Sequence, residues 1–426
     1  MSSKIVTFGA FINRANFWYK ANGLVAYDDV YDDEPAEKST KKGKTAQFVK
    51  AALARLRQLF CFITILNMHM ELLSEIGFVV ATFVENADFL QAATNLCYIG
   101  FVGMAVIKTW SNIRQRAQIN VLLQKLYEIY PKHAADQLEY DLPRHLDQYK
   151  RISFIFVFIY FCAVWGYNIR PPINYLISKY WLQQGTWERA LPYYSWAPFK
   201  WQDNWLYFPF YFLVVYASQA SFAGYVANDL LLCATTAQLI MHFRKLANTI
   251  EQYKVGGSQS EVQVVQNQQD EKDLRFLCSV VFYHSKALEL CELINEIFGT
   301  QTLVNFISTS FVMCFLAFQF VIGVPLDELI MLVLYMVCSL FQICMICSYG
   351  QELITTSENI GHAVYNHNWL VADIRYKKTM TMIIQRAQKP AMLRATSFVD
   401  VKLETVTDLL QLSYKFFALI RTMYVR

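Results

Sequence analysis

The sequence predicts an all-α membrane protein with seven transmembrane helices, and three observations support this fold class. Of the 426 residues, 55% are hydrophobic and 16% are aromatic, which is more apolar than ordinary soluble domains. The mean hydropathy is +0.23, and the apolar residues gather in runs of about 20, enough to cross about 30 Å of hydrocarbon. Lys and Arg concentrate in alternate connections between these runs, which predicts a fixed orientation in the membrane.

Residues 1–57 form a polar segment that we expect to remain in the cytosol, because cytosolic flanks of membrane helices are rich in Lys and Arg. The basic residues before the first apolar run are Lys38, Lys41, Lys42, Lys44, Lys50, Arg55 and Arg57. The segment has no apolar run of signal-peptide length, so the first membrane helix is expected to act as the insertion signal. We interpret residues 11–27 as a short helix at the membrane interface.

The apolar runs place the predicted spans at residues 58–83, 88–108, 150–170, 205–233, 299–322, 328–349 and 401–421. The segments 109–149, 234–298 and 350–400 contain many Lys and Arg residues, whereas 84–87 and 323–327 contain none. Basic connections stay on the cytosolic side. The pattern therefore predicts a cytosolic N-terminus and an extracellular C-terminus, opposite to a G-protein-coupled receptor.

The cytosolic connections are predicted to be helical and to form an anchor bundle. Residues 58–349 hold the first six spans together with cytosolic helical extensions at 234–298, and residues 350–400 complete the anchor region. Within 274–298, Leu277, Val281 and Leu288 recur at helical spacing, which predicts one apolar face. Further expectations are an amphipathic helix at 376–389 and a flexible break at 255–272.

The outer loop at residues 170–204 is long and rich in aromatic residues. It contains Tyr175, Tyr180, Trp181, Trp187, Tyr193, Tyr194, Trp196, Phe199 and Trp201, with Pro171, Pro172, Pro192 and Pro198 expected to stiffen it. Two interpretations have equal support: an aromatic belt at the membrane interface, and a lid over a binding cavity, since long loops in compact proteins are often functional.

The sequence pattern of residues 401–426 predicts a seventh helix, with Asp400 as its N-cap, followed by an extracellular tail. One side of this helix is mostly apolar: Leu403, Val406, Leu410, Phe417 and Tyr424. The opposite side mixes charged, hydroxyl and aliphatic groups: Thr405, Asp408, Leu412, Lys415, Leu419, Thr422, Met423 and Arg426. Unpartnered polar groups are costly in lipid or in a dry core, so a water-filled path suits the mixed side. An ordinary amphipathic surface helix fits the periodicity equally well.

Two patches near the C-terminus resemble the insect odorant receptor family. The first contains Arg386, Ala387, Pro390, Ala395, Phe398, Leu403, Ser413, Tyr414, Phe417 and Leu419; the second contains Gly350, Ser357, Ala363, Tyr365 and Trp369. They cover about the last 80 residues, and the rest is similar in hydropathy and loop lengths only.

This resemblance implies an odorant-binding subunit of a heteromeric, ligand-gated, non-selective cation channel. Its partner would be the shared odorant receptor co-receptor subunit, in a heterotetramer at the plasma membrane of olfactory neuron dendrites. The last helix of each chain would line the pore, and the cytosolic bundle would hold the subunits together. The expected ligands are small volatile odorants, and the surroundings are membrane lipid.

By the same resemblance, the pocket lies in the outer half of the bundle among the second, third, fourth and sixth spans. Our candidates on those spans share a helix face within each group: Phe89, Ala93 and Leu96; Phe158, Phe161, Cys162 and Trp165; Tyr211, Val215 and Tyr216; Leu332, Tyr335 and Met336. Lipid contact or core packing is the alternative for each of them.

The candidate pore and gate residues are Leu412, Lys415, Leu419, Thr422 and Met423. Leu419 is the proposed constriction, because a ring of aliphatic side chains can close a pore by dewetting. Lys415 departs from the small hydroxyl residue that the resemblance leads one to expect, and four such charges around one pore would repel each other and permeating cations. Alternatively, Lys415 snorkels to the cytosolic side or pairs with Asp408.

Several other classes are disfavoured. The sequence contains no catalytic motif and no metal-ligand spacing, so we predict a non-enzyme without cofactor or metal, and the net charge of +4 gives no reason to expect nucleic acid. A G-protein-coupled chemoreceptor would have the orientation opposite to the predicted one. A gustatory receptor channel of the sister family usually has an aromatic and Gln-Phe ending, which is not found in this sequence. A transporter is favoured only by Glu71 and Glu75, for which polar packing is the preferred interpretation.

The orientation can be tested with epitope tags. A tag after Arg426 should stain intact cells, whereas a tag at the N-terminus should stain only after permeabilisation, because the basic segments hold the N-terminal side in the cytosol. Staining of intact cells through the N-terminal tag would contradict the predicted topology.

Overall fold

Helices make up most of the described residues, together with one short hairpin. The structure, a computed structural model, describes residues 5–28, 44–84, 89–180, 189–202, 204–256, 263–323 and 325–424. The helices are α1 (Gly9–Ala21), α2 (Lys44–Val84), α3 (Phe89–Arg114), α4 (Arg116–Ile129), α5 (Ala134–Glu139), α6 (Leu142–Tyr180), α7 (Tyr207–Gln252), α8 (Gln263–Ile322), α9 (Leu326–Asn366), α10 (Ile374–Ala387) and α11 (Leu403–Tyr424). Strands β1 (Arg394–Ala395) and β2 (Val399–Asp400) pair antiparallel.

In the part of the chain that the structure describes, six helices are long and apolar enough to cross a membrane: Ala51–Val84, Gln91–Arg114, Leu142–Tyr180, Tyr207–Gln252, Gln268–Ile322 and Glu328–Asn366. Each contains most or all of one of the first six predicted spans, so those helices are confirmed. The seventh prediction coincides with α11, which is 22 residues long. Helix α11 is not among those six, because it carries four charged residues, Glu404, Asp408, Lys415 and Arg421.

Helices α7, α8 and α9 are much longer than a membrane crossing requires. They contain 46, 60 and 41 residues, whereas about 20 residues suffice for a crossing. The predicted helical continuation of the fourth, fifth and sixth spans is therefore correct, and the amphipathic helix expected at 376–389 is α10. Most of the break predicted at 255–272 is instead the start of α8, and residues 257–262 lie outside the described residues.

Helix α7 occupies the centre of the bundle, in contact with α1, α2, α3, α6, α8 and α9. From Ala220 to Phe243 every residue is buried. This stretch contains Asn228, Asp229 and Thr235, and the enclosed position gives their polar groups partners in the protein instead of exposing them to lipid.

Helix α1 is not the interfacial helix that the sequence led us to expect. Phe11, Ile12 and Tyr19 are completely buried against the bundle. The turn after α1 is also tied to protein, since the Asn22 Nδ2 donates to the Ala220 carbonyl at 2.8 Å. The apolar stripe of α1 therefore packs on α7 instead of on lipid.

Helix α6 continues to Tyr180 and includes Pro171 and Pro172, which had been assigned to the outer loop. A proline inside a helix leaves the carbonyl four residues earlier without its usual donor. For Pro172 that carbonyl belongs to Asn168, and the Tyr211 hydroxyl of α7 donates to it. The membrane helix tolerates the proline because a neighbouring helix supplies the missing hydrogen bond. Trp181 and Trp187 lie outside the described residues.

The β1–β2 hairpin positions the start of α11. Asn295 of α8 binds it on both sides, donating to the Met392 carbonyl at 3.0 Å and accepting from the Arg394 amide at 2.9 Å. Asp400 lies in β2 and is not the N-cap, because α11 begins only at Leu403, after the hairpin. The Thr405 hydroxyl donates to the Asp400 carbonyl instead.

Gly350 of α9 lies where the chain passes from β2 to α11. A Cβ atom at this position would overlap the Val401 carbonyl oxygen, whereas one at Gly103 of α3 would meet its nearest neighbour, Leu72, at 3.9 Å. Only a glycine therefore lets α9 approach the segment before α11 this closely.

We predict that Gly350→Ala destabilises the receptor by about 1–3 kcal/mol through overpacking. Gly103→Ala is the matched control and should be neutral or slightly stabilising, since alanine favours a helix over glycine by up to about 1 kcal/mol. The measurement is the melting temperature of each purified variant in detergent. Equal shifts for the two variants would contradict the close approach at Gly350.

Candidate functional site

An aromatic cavity lies between α3, α6, α9 and the loop 189–202. It is narrow, with a volume of about 30 Å³, and is lined by Tyr98, Phe101, Tyr160, Ala163, Val164, Tyr167, Tyr193 and Tyr335. Tyr193 brings the loop onto the cavity, so part of the outer loop covers it. The lining contains no charged group. An apolar cavity with a few polar atoms suits a small and largely apolar molecule.

The aromatic walls hold each other in place through ring contacts. Tyr98 meets Tyr193 and Tyr167 edge to face, with ring centroids 5.0 and 5.4 Å apart. Tyr167 and Tyr193 are stacked at 5.8 Å. Such pairs stabilise beyond the area that they bury, and they give the covered end of the cavity a defined shape.

The polar groups of the lining are tyrosine hydroxyls. The Tyr335 hydroxyl donates to the Cys97 carbonyl at 3.3 Å. Burial raises the pKa of Tyr193 well above its ordinary value, a hydrogen bond with Ser218 opposes that rise, and the carboxylates of Glu75 and Glu71 add to it. Tyr193 is therefore a neutral hydroxyl that can take part in a hydrogen bond with a ligand.

On the side away from the loop, the cavity is followed by a buried polar cluster that we call the floor network: Lys108, Tyr225, Asp229, Asn305 and Gln342. Lys108 Nζ lies 2.7 and 2.8 Å from the Asp229 carboxylate oxygens and 3.6 Å above the Tyr225 ring centroid. Gln342 Nε2 donates to Asp229 at 2.6 Å. The Tyr225 hydroxyl lies within donor distance of Gln342 Oε1, at 2.8 Å, and of Asn305 Oδ1, at 3.0 Å.

The sequence reasoning missed this network, although a signal was present. Asp229 is the sole charged residue within the predicted span 205–233, and an ionisable residue at such depth usually has a partner and a function. Lys108 closes the second predicted span, 121 positions earlier in the chain. Nothing local in the sequence connects the two.

Of the predicted ligand-binding residues, Tyr335 lines the aromatic cavity. The α6 candidates lie on another face: Phe158, Phe161 and Trp165 are 55%, 43% and 37% exposed, and Cys162 is half-buried. The cavity instead receives Tyr160, Ala163, Val164 and Tyr167 from α6. A one-residue offset rotates a helix face by about 100°, which explains why a face chosen from sequence alone missed the cavity.

The remaining candidates on α3 and α7 lie outside the cavity lining. Ala93 is buried and Leu96 is half-buried, in the turns that precede Tyr98. Tyr216 shares a hydrogen bond of 2.6 Å with Thr64 of α2, and Val215 is half-buried. The Tyr211 hydroxyl donates to the Asn168 carbonyl of α6. Phe89 begins α3, and its side chain lies outside what the structure describes.

Leu332 and Met336 face a second cavity, a crevice of about 370 Å³ between α8, α9 and α11. Its other lining residues are Met313, Leu316, Ala317, Phe320, Val321, Val333, Leu410, Ser413, Tyr414 and Phe417. Helix α9 therefore separates the two cavities, with Tyr335 on one side and Leu332 and Met336 on the other.

Helix α11 presents two distinct faces. Leu410 and Phe417 point into the crevice, and Phe416 stacks on Phe311 of α8 with ring centroids 4.9 Å apart. The candidate pore residues lie on the free side: Leu412 and Leu419 are 39% and 58% exposed, and Lys415 and Thr422 are exposed too. Within the described part of the chain Lys415 forms no ion pair. The side chain of Met423 is not described.

Glu71 and Glu75 are buried where α2 meets the outer loop. Ser195 of the loop donates to Glu71 Oε1 at 2.9 Å. One turn away, the Asn95 side chain of α3 donates to the Glu75 carbonyl at 2.8 Å. The Glu71 carboxyl group therefore has a polar partner in the protein. Both carboxyl oxygens of Glu75 are buried without a hydrogen-bond partner among the described residues, so polar packing stays a prediction for Glu75.

A bundle of helices long enough to cross a membrane defines a multi-pass membrane protein, and the aromatic cavity is its candidate site for a small apolar molecule. A profile of the family described as 7tm Odorant receptor matches residues 88–414. Putative odorant receptor 85d of Drosophila melanogaster is 38% identical over 422 residues, 99% of this chain and 96% of the relative. Odorant receptor 85b of that species is 40% identical over 362 residues, 85% and 90% of the two chains.

The fold is also similar to a solved structure. The insect olfactory receptor OR5 from Machilis hrabei in complex with eugenol superposes with a TM-score of 0.75 at 15% identity, over 97% of this chain and 98% of that chain. This chain belongs to the insect odorant receptor family, and the match extends far beyond the two C-terminal patches. It is an odorant-binding receptor of the membrane and belongs to a receptor family, not to an enzyme family.

We predict that Tyr335→Ala shifts odorant potency by about tenfold or more, because it removes one wall of the aromatic cavity and its contacts with the ligand. Trp165→Ala is the control, since it truncates a large aromatic side chain outside the lining. Concentration–response curves of odorant-evoked signals, at matched surface expression, check both variants. Equal shifts, or an unchanged curve for Tyr335→Ala, would place the binding site elsewhere.

Proposed function

We propose that this chain is the odorant-binding subunit of a heteromeric, ligand-gated, non-selective cation channel that depolarises olfactory neurons. The observation that carries the proposal is the pair of faces on α11. One face packs on α8 and α9, while the other exposes hydroxyl, charged and aliphatic groups together. Such a face fits a water-filled path, because neither lipid nor a dry interface would satisfy its polar groups.

In this channel four chains surround one pore, with the free face of α11 from each chain lining it. Leu419 forms the constriction, with Thr422 and Met423 toward the outside and Leu412 and Lys415 toward the cytosol. Exposed aliphatic side chains meeting at the axis exclude water when the pore is narrow. A ligand shifts an equilibrium toward the state that it binds more tightly. An odorant in the aromatic cavity therefore opens the channel by binding more tightly to the state in which the pore is wide.

The proposed odorant site is the aromatic cavity around Tyr335. Its rings would contact the apolar part of the odorant, and tyrosine hydroxyls would contact a single polar group. The structural relative from Machilis hrabei was solved with eugenol, a small molecule of this general character. The cavity volume of about 30 Å³ is far below the roughly 300–1,000 Å³ of typical ligand pockets, so an odorant has to push the aromatic walls apart to bind.

Lys415 supports a mixed assembly with the co-receptor. Four exposed ammonium groups around one axis would repel each other and the permeating cations. Co-receptor subunits that lack this charge would dilute both effects. The proposed location is the plasma membrane of the olfactory neuron dendrite.

Subunit contacts are assigned to the cytosolic anchor, formed by the extensions of α7, α8 and α9 together with residues 350–400. Apolar side chains there are left uncovered by the single chain: Phe398, Leu370 and Tyr365 are 82%, 71% and 65% exposed. Large apolar groups of this kind mark association surfaces. Residues 1–57, which precede the first predicted span, are assigned to the cytosolic side as well.

The test is to record currents from cells that express this chain alone, the co-receptor alone, or both. A defined panel supplies the odorants: eugenol, 1-hexanol, 2-octanone and ethyl butanoate. We predict odorant-evoked cation currents only from the mixed channel, because this chain supplies the cavity and the co-receptor relieves the repulsion at Lys415. Currents that require a G protein would overturn the channel proposal.

Lys415→Ser tests the pore assignment in the same cells. Removal of the charge should raise calcium permeability of the mixed channel, seen as a shift of the reversal potential in high calcium. Lys402→Ser is a matched control, since this exposed lysine before α11 is paired with Glu404 and lies outside the proposed pore face. A reversal potential that does not move in Lys415→Ser would show that the lysine faces away from the ions.

A further inference from the structure

We propose that the floor network is a positioning element that transmits odorant occupancy from the aromatic cavity to the helices that support α11. Asp229 is its central residue, since it binds Lys108 of α3 and Gln342 of α9 at once. The inference rests on the proposed channel function, and it adds a role for five residues that do not line the cavity.

The network joins four helices at one buried point. Lys108 of α3 and Asp229 of α7 are 2% and 4% exposed, and Asn305 of α8 and Gln342 of α9 are 1% and 0% exposed. Water therefore cannot replace any bond of the network when a helix moves. A displacement of one member must be accommodated by the partners, since a buried polar group without a partner is costly.

The cavity is coupled to the network through rings. Phe101 lines the cavity and meets the Tyr225 ring with centroids 5.2 Å apart. Tyr160 lines it too, meets Tyr225 at 5.6 Å, and directs its hydroxyl to Gln342 Oε1 at 3.4 Å. An odorant that pushes on Phe101 or Tyr160 therefore changes the position of the Tyr225 hydroxyl.

The network has two possible hydrogen-bond arrangements, because it offers more acceptors than the Tyr225 hydroxyl has protons. The Tyr225 hydroxyl has one proton but two acceptors at bonding distance, Gln342 Oε1 and Asn305 Oδ1. It donates to α9 in one arrangement and to α8 in the other. Gln342 Nε2 lies 3.4 Å from Asn305 Oδ1, and Asn305 Nδ2 has no partner among the described residues. Small shifts of α8 against α9 therefore decide which arrangement is favoured.

Both receiving helices support the pore helix. About two turns beyond Asn305 on α8, Phe311 stacks on Phe416 of α11. About two turns before Gln342 on α9, Met336 lines the crevice with Phe417 of α11. A shift of α8 relative to α9 changes the surface on which α11 rests, and this links the aromatic cavity to the proposed gate.

The first test is Tyr225→Phe in the mixed channel. This change removes the shared proton but keeps the ring over Lys108 and against Phe101. Tyr149→Phe is the matched control, because this buried tyrosine also loses one hydroxyl bond, to the Leu230 carbonyl on α7 at 3.2 Å, outside the network. The probe is the panel odorant that binds wild-type membranes most tightly, and its binding and its evoked current are measured on the same cells.

We expect Tyr225→Phe to reduce the maximal evoked current about fivefold or more, the lower end of typical coupling between sites. Its odorant Kd should stay within about twofold, and Tyr149→Phe should match wild type in both readouts. Equal loss of binding and current, or equal effects of the two variants, would reduce the network to a structural role and overturn the proposal. Wild-type binding without any current would overturn the channel function itself.

A second test exchanges the two charges of the ion pair, to distinguish its role in stability from the role of the network in gating. Asp229→Asn should lower surface expression, since it leaves the Lys108 charge buried without its counter-ion. The double variant Lys108→Asp with Asp229→Lys should regain surface expression and odorant binding. It should not regain the evoked current, because a lysine at position 229 cannot accept from Gln342 Nε2. A double variant that gates like wild type would overturn the role of the Asp229–Gln342 bond.

Discussion

Polar groups inside a membrane need partners from the protein, and the buried ion pair between Lys108 and Asp229 shows how this constraint shapes the receptor. Two charges without water nearby must stay together, so α3 and α7 are fixed against each other at mid-bundle. Gln342 adds α9 to the same point, and Asn305 adds α8. The central position of α7 follows, since this helix carries both Asp229 and Tyr225 and must be enclosed on all sides.

The same constraint governs the outer half of the molecule. Pro172 interrupts the hydrogen bonding of α6, and the Tyr211 hydroxyl of α7 repairs it at the Asn168 carbonyl. Ser195 holds the outer loop to Glu71 of α2, which helps to place Tyr193 over the aromatic cavity. The cavity is therefore bounded by groups whose positions are set by hydrogen bonds, while its lining stays apolar enough to accept a small volatile molecule.

Helix α9 connects the receptor function to the proposed pore. Tyr335 faces the aromatic cavity, Met336 faces the crevice beside α11, and Gly350 lets the segment before α11 approach closely. One helix thus touches the ligand site, the side of the pore helix and its starting point. Because α9 also contributes Gln342, a rigid shift of this single helix would be felt at all three places.

The sequence by itself determined the helical membrane class, the first six spans, the helical extensions of the last three of these spans and the family, because hydropathy, periodicity and short motifs are local properties of the chain. It identified Tyr335, but on α6 both faces are aromatic. Phe161 and Trp165 were therefore chosen over Tyr160 and Tyr167, and only packing against α3 and α9 decides which face is enclosed. The floor network also required the tertiary structure, because its bonds join residues of four helices that are 37 to 121 positions apart. Nothing in the sequence tells which of these buried polar groups meet.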